Sequence, residues 1–273
     1  MLSWKLVQKE SSGILFQGLN TLADSNILHQ PNEITDMVGN YLILDSCKPI
    51  YIGQTTNISK RLGQHIKSER FKNRNLSFKQ LNTFFGRKEI EEFGCYYFGN
   101  LENKFHQHRI FCNHHMKSTH WQLVQDNCNS LLNEACNYFE KEQVVEWKKA
   151  VPSNRPGVYQ VYKDDKIIYV GEGINLSGRY GMHSSSTRMS VLRRKIATTK
   201  LGFSLKTKKQ IGYQLSKDKK YSYLSATEDV EVSNFLSDCR IKFFEVDIGR
   251  IELEKFLIDT NMPELNTRIG INF

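Results

Sequence analysis

The chain has 273 residues, 39% of them hydrophobic and 25% charged, which is the balance of a globular protein rather than a disordered or fibrous one. Lys and Arg outnumber Asp and Glu by 38 to 29, and the net charge of +9 points to a polyanionic partner, nucleic acid before others. No apolar run approaches the roughly 20 residues that a membrane helix needs, so no membrane partner is expected.

Residues 1–38 read as a lead-in with one short helix. The runs at 40–45 (NYLILD) and 49–53 (PIYIG) read as a hairpin turning at Asp45-Ser46-Cys47-Lys48. Asn57 is the expected N-cap of a helix that carries Lys60, Arg61, His65 and Lys67. Arg61 and His65 lie four apart and so share a face. A second helix is predicted near 76–86 and a third strand at Cys95–Gly99. Residues 103–120 are polar and rich in His and Cys, but Cys112, His114, His115, His120 and Cys128 match no standard zinc spacing. The six cysteines form no Cys-x-x-Cys pair and read as reduced thiols in a cytoplasmic protein. The opening MLSWKLVQKESSG has no apolar signal core, which argues against secretion. A helical pattern covers about 121–149.

The segment VPSNRPG at 151–157 marks a boundary. Beyond it the plan recurs. A hairpin at 158–163 and 166–171 turns at Asp164-Asp165, and a helix from Asn175 carries Arg179 and His183. A basic helix at 189–201, a Lys-rich loop at 206–224, a helix at 227–237, a third strand at 240–246 and a last helix at 249–260 follow. The expected fold is α+β, in two tandem domains, each a small three-stranded antiparallel sheet flanked by helices. The expected boundaries are 1–38 for the lead-in, 39–154 for the first domain and 155–273 for the second.

The recurrence is a repeat at constant offset. Gly39 and Gly157, Tyr41 and Tyr159, Tyr51 and Tyr169, Gly53 and Gly171, Asn57 and Asn175, Ser59 and Ser177, Arg61 and Arg179, and His65 and His183 all differ by 118 positions. Each copy resembles a GIY-YIG nuclease domain. The marks are Gly39-Asn40-Tyr41 with Tyr51-Ile52-Gly53, and Gly157-Val158-Tyr159 with Tyr169-Val170-Gly171. An Arg follows ten residues after the second Tyr and a His four residues later. In the second copy Glu254-Lys-Phe-Leu-Ile and Pro263-Glu-Leu-Asn266 complete the pattern. In the first, Glu142 and Asn154 have the same spacing of twelve but fit less cleanly. Asn40 departs from the usual aliphatic residue. Gln54 and Glu172 stand where some members have a phosphate-contacting Lys.

The resemblance implies phosphodiester hydrolysis on double-stranded DNA, with Mg²⁺ or Mn²⁺ as cofactor. Glu254, and Glu142 in the first copy, would hold the metal; a hard divalent cation keeps several waters and needs few carboxylates. Arg179 and Arg61 would grip the scissile phosphate. A tyrosine would relay a proton from the attacking water: Tyr159 or Tyr169, with Tyr159 favoured, and Tyr41 or Tyr51 in the first copy. His183 and His65 would bind phosphate or assist that tyrosine. Asn266 and Asn154 would orient the carboxylate end, and Glu252 is expected at the surface. Two sites in one monomeric chain would cut both strands, as a type II restriction endonuclease does. The alternatives are a non-catalytic or half-active nucleic-acid-binding protein, and a nicking nuclease of repair or mobile elements.

Overall fold

The computed structural model describes residues 2–103, 118–185, 187–206 and 223–266. By packing, the chain divides into two units: Met1–Asn137 with Val246–Leu253, and Tyr138–Glu245 with Glu254–Phe273.

The first unit opens with two helices where the sequence suggested one short one. Helix α1 (Trp4–Lys9) is capped by Ser3, whose hydroxyl accepts from the Leu6 N–H at 3.3 Å. Helix α2 (Ser11–Asp24) follows, and Ile14, Leu15, Leu19 and Leu22 form its buried stripe at helical spacing. The lead-in is therefore core. Strands β1 (Gly39–Asp45) and β2 (Lys48–Thr55) make the expected hairpin. Ser46 and Cys47 both take positive φ (49° and 66°), the backbone of a type I′ turn, whose twist matches that of the strands. Asn57 caps α3 (Ile58–Ile66), its Oδ1 accepting from the Lys60 N–H at 2.8 Å.

The next two elements differ from expectation. Leu76–Asn82 is a strand, β3, rather than part of a helix. It pairs antiparallel with β1 from Asn82 opposite Gly39 to Leu76 opposite Asp45, giving the sheet order β2-β1-β3. Pairing with a central strand outweighs the local helical spacing of Leu81, Phe84 and Phe85. Conversely, Cys95–Gly99 is no strand. Its aromatic run closes α4 (Arg87–Phe98), which is bracketed by Gly86 and Gly99 at φ 81° and 72° and buries Ile90, Phe93 and Gly94. The pattern over 121–149 breaks into α5 (Trp121–Asp126), α6 (Cys128–Glu140), a short strand β4 (Val145–Glu146) and a 3₁₀ turn at Trp147–Lys149.

The segment Val246–Leu253 belongs to this first unit. Ile248 exchanges two hydrogen bonds with the Gln8 side chain, at 3.0 and 3.1 Å. Glu252, expected at the surface, is buried: it pairs with Arg87 at 2.9 Å and accepts from the Gly86 N–H at 3.1 Å. Reciprocally, Glu89 accepts from the Gly249 N–H at 3.2 Å and pairs with Arg250, which also reaches Glu92 at 2.6 Å. Burial, then the neighbouring Glu89, pushes the Glu252 carboxyl up, and Arg87 pulls it back.

In the second unit, β5 (Gly157–Lys163) and β6 (Lys166–Gly173) form the hairpin, with Asp164 and Asp165 at φ 48° and 62° repeating the type I′ turn. Helix α7 (Leu176–Ser185) is capped by Asn175, whose Oδ1 accepts from the Gly178 N–H at 2.8 Å. Helix α8 (Val191–Lys195) runs into a π turn at Ile196–Lys200. The helix Ala226–Ser237, the strand β7 (Arg240–Glu245) and the helix Arg250–Asn261, of which only the part from Glu254 belongs to this unit, fall where the sequence places them. The second sheet has the order β4-β7-β5-β6. Its core gathers Tyr159, Val161, Tyr169, Leu176, Leu192, Ile196 and Ile241.

Candidate active site

The two hairpins are matched in register. Tyr41 lies opposite Gly53 and Tyr159 opposite Gly171, and each first strand carries a bulge two residues later. A Cβ on Gly53 or Gly171 would sit 2.3 Å from the facing tyrosine's hydroxyl oxygen. The second glycine of each motif is thus the floor across which the first tyrosine lies. A Cβ on Gly39 or Gly157 would sit 2.0 or 2.2 Å from a backbone carbonyl oxygen of the third strand (Leu81 or Phe244), so the first glycine permits close strand approach.

In the first unit, Tyr41 is buried and its hydroxyl lies 2.9 Å from His65 Nε2. Tyr51 stacks on Tyr41 at 6.2 Å between centroids and meets the His65 ring at 4.9 Å. Arg61 is on the exposed side of α3 and donates to Gln64 at 3.0 Å. Arg70 lies over the Tyr51 ring at 5.2 Å. Burial, reinforced by Tyr51, pushes the Tyr41 phenol well up, and Arg61 offsets part of that. Burial, then Arg61 and Arg70, holds His65 down to about 4, so its imidazole is neutral near pH 7.

The second unit repeats this more tightly. Tyr159 hydroxyl lies 2.6 Å from His183 Nε2 and accepts from Arg179 Nε at 3.4 Å. Tyr169 packs beside Tyr159, with 6.1 Å between centroids. Burial raises both phenols, Tyr169 to about 12; Arg179 lowers each and the nearby Glu254 carboxylate raises each. Burial, then Arg179 and Arg193, depresses His183 to about 3. Asn266 clasps the open side of β6: its Oδ1 accepts from the Val170 N–H at 2.7 Å and its Nδ2 donates to the Val170 carbonyl at 2.8 Å.

That clasp identifies its counterpart. Asn103 accepts from the Ile52 N–H at 3.2 Å and donates to the Ile52 carbonyl at 2.7 Å, and Ile52 is the repeat partner of Val170. Glu91 precedes Asn103 by twelve residues, as Glu254 precedes Asn266. Glu91 is the fifth residue of α4, and Glu254 is the fifth residue of its own helix. Glu91 also acts on Tyr41, raising its phenol as Glu254 raises that of Tyr159. Glu142 and Asn154 are not brought to the Tyr41 cluster. Both are exposed and both belong to the second unit, where the Glu142 charge acts on Lys242. A visible signal separates the two options: Gly86-Arg-Lys-Glu-Ile-Glu91 matches Gly249-Arg-Ile-Glu-Leu-Glu254. The offset there is 163 instead of 118, so 45 more residues stand between the hairpin and this helix in the second copy.

Each cluster thus offers one carboxylate, Glu91 or Glu254, beside paired tyrosines and an arginine. A hard divalent cation suits that donor set, since it completes its shell with water. Among the described residues no group of three His, Cys, Asp or Glu is poised to hold a metal. Cys112, His114 and His115 lie outside the described residues, while His120 Nδ1 contacts Glu10 at 2.8 Å. No described helix is long and apolar enough to cross a membrane. No curated protein matches the chain. Residues 37–109 match the family model of the GIY-YIG catalytic domain, a nuclease-type fold, over a range that includes Glu91 and Asn103 and stops short of Glu142 and Asn154.

Proposed function

We propose that the protein is a divalent-metal-dependent endonuclease acting on double-stranded DNA, with one GIY-YIG-type site in each unit, and that it cuts both strands in the manner of a type II restriction enzyme. The observation that carries the reading is the doubled constellation: the same hydrogen bond joins Tyr41 to His65 and Tyr159 to His183, Asn103 and Asn266 clasp the equivalent residues Ile52 and Val170, and Glu91 and Glu254 stand twelve residues before those asparagines. The family match supports the first half, and the net charge of +9 suits a phosphate backbone.

The geometry supports the following roles. Glu91 and Glu254 would hold Mg²⁺ or Mn²⁺, which when bound supplies charge neutralisation at the scissile phosphate. Arg61 and Arg179 would present guanidinium groups to the non-bridging oxygens. Tyr41 and Tyr159 are placed to exchange a proton with the attacking water, each oxygen steadied by an imidazole nitrogen. Tyr51 and Tyr169 pack beside them and fix their rings. Asn103 and Asn266 tie the end of the carboxylate-bearing segment to the motif's second strand.

The test is plasmid cleavage with Mg²⁺. The wild-type chain is expected to linearise supercoiled DNA that carries its site, whereas Glu91→Ala and Glu254→Ala each stop at the nicked circle. Glu142→Ala is expected to linearise as wild type does. If Glu91→Ala still linearises at the wild-type rate, the two-site reading fails. Tight duplex binding without cleavage by the wild-type chain would instead mark a binding protein.

A further inference from the structure

The two clusters differ at the far side of the imidazole. In the second unit His183 Nδ1 lies 2.6 Å from Ser190 Oγ. Among the described residues His65 Nδ1 has no hydrogen-bond partner. Ser190 is fully buried and is the N-cap of α8, accepting from the Arg193 N–H at 3.0 Å. With that lone pair used, its proton has one acceptor among the described residues, the His183 Nδ1 lone pair. A buried hydroxyl proton seeks an acceptor, and a neutral imidazole carries one donor and one acceptor nitrogen. Nδ1 therefore accepts and Nε2 carries the hydrogen, aimed at Tyr159.

The support behind Ser190 is equally specific. Arg193 is fully buried and all three of its guanidinium nitrogens are engaged. Nε donates to Thr187 at 3.2 Å and Nη1 to the His183 carbonyl at 3.1 Å. Nη2 donates to Asp229 Oδ1 at 2.9 Å and to Ser233 at 2.9 Å. Thr187 in turn donates to Asp229. All these residues, apart from His183 itself, lie in the stretch that accounts for the 45 extra positions of the second copy. The stretch thus includes a brace that holds Ser190 against the imidazole.

We propose that Ser190 is a positioning residue that locks His183 in its Nε2–H tautomer, so that the imidazole donates to Tyr159 and cannot take that phenol's proton. Tyr159 oxygen then accepts two hydrogen bonds, from His183 and Arg179, and its own proton is directed to neither. Among the described residues His65 has no such lock, and its Nε2 can accept from Tyr41. The two sites are chemically unequal. This inference rests on the nuclease reading only for its kinetic consequence, and the tautomer itself can be read without DNA.

The experiment is two-bond ¹H–¹⁵N correlation on the full chain with ¹⁵N-labelled histidine at pH 7, the His183 signals being assigned by their loss in His183→Gln. The wild-type chain is expected to show His183 protonated at Nε2. Ser190→Ala should shift it toward Nδ1–H, and Ser190→Thr should restore it. In a Glu91→Ala background, which isolates the second site, Ser190→Ala should slow nicking on the order of tenfold in kcat with KM unchanged, and Ser190→Thr should recover the rate. A wild-type His183 protonated at Nδ1 overturns the proposal whatever the variants do. So does a Ser190→Ala chain that slows with its imidazole pattern unchanged, since the serine would then act only as a helix cap. A wild-type chain that cuts no DNA refutes the nuclease reading and leaves the tautomer result to decide this one.

Discussion

Replacing Asn103 with alanine removes the clasp on the edge of the first sheet. Two groups lose their partners, the Ile52 N–H at 3.2 Å and the Ile52 carbonyl at 2.7 Å. Ile52 is fully buried and Asn103 is 8% exposed, so water can replace the amide only in part. A buried polar group left unpaired costs about 1–3 kcal/mol, and partial hydration in the vacated space brings the expected total to about 2–4 kcal/mol. That is a large share of a usual folding margin of about 5–15 kcal/mol. Urea unfolding of the full chain, followed by fluorescence, measures it. Asn103→Asp should lose at least as much, because it keeps the acceptor but sets a second oxygen against the Ile52 carbonyl. Asn266→Ala should give a loss of the same size in the second unit, and the exposed Asn154→Ala should give none. If Asn103→Ala stays within about 0.5 kcal/mol of wild type, the clasp is not structural and the assignment of Asn103 fails.

Other outcomes follow from the same geometry. His183 has its pKa lowered from 6.5 to about 3 by burial, then by Arg179 and Arg193. The unfolded chain therefore binds this proton first, and the stability it leaves intact above pH 6.5 falls as pH drops toward 3. His183→Gln should remove that slope; between pH 6 and 4.5 wild type should lose roughly 2 kcal/mol more than the variant, read from denaturation midpoints at each pH. Equal slopes would mean that His183 is not held neutral. Gly53→Ala puts a Cβ 2.3 Å from the Tyr41 hydroxyl oxygen. The ring must move off His65, so plasmid should accumulate as the nicked circle, while wild-type linearisation would show that the tyrosine needs no glycine floor.

Much of the fold was legible because its signals are local. Asn57 and Asn175 announce helix starts by capping, and Asp164-Asp165 announces a turn by tolerating positive φ. The tyrosines, arginines and histidines share one offset and fall where that offset implies. What failed was non-local. Leu76–Asn82 is a strand because β1 offers it a ladder, which its own residues do not advertise. Trp4 and Ile14 sit in a segment that looks unremarkable until its buried face is filled. Glu91 escaped notice because the twelve-residue spacing alone also fits Glu142 and Asn154, whereas the longer second copy sets Glu91 and Asn103 163 positions before Glu254 and Asn266 rather than 118. Glu252 was misplaced for a related reason: a carboxylate reads as surface until an arginine far away in sequence is known to face it.

The pairs Arg87 with Glu252 and Arg250 with Glu89 also bear on how this gene can be divided. The first unit is not a contiguous stretch of sequence, since Val246–Leu253 is threaded into it after the second sheet has been laid down. A stop codon near 137 would leave Arg87 and Glu89 buried without their counter-charges, at about 3–5 kcal/mol for each broken pair. The halves are therefore not cassettes. A ribosome must deliver the chain as far as Leu253 before the first unit can close, and shuffling that trades one copy for a relative's must carry the distant octapeptide with it.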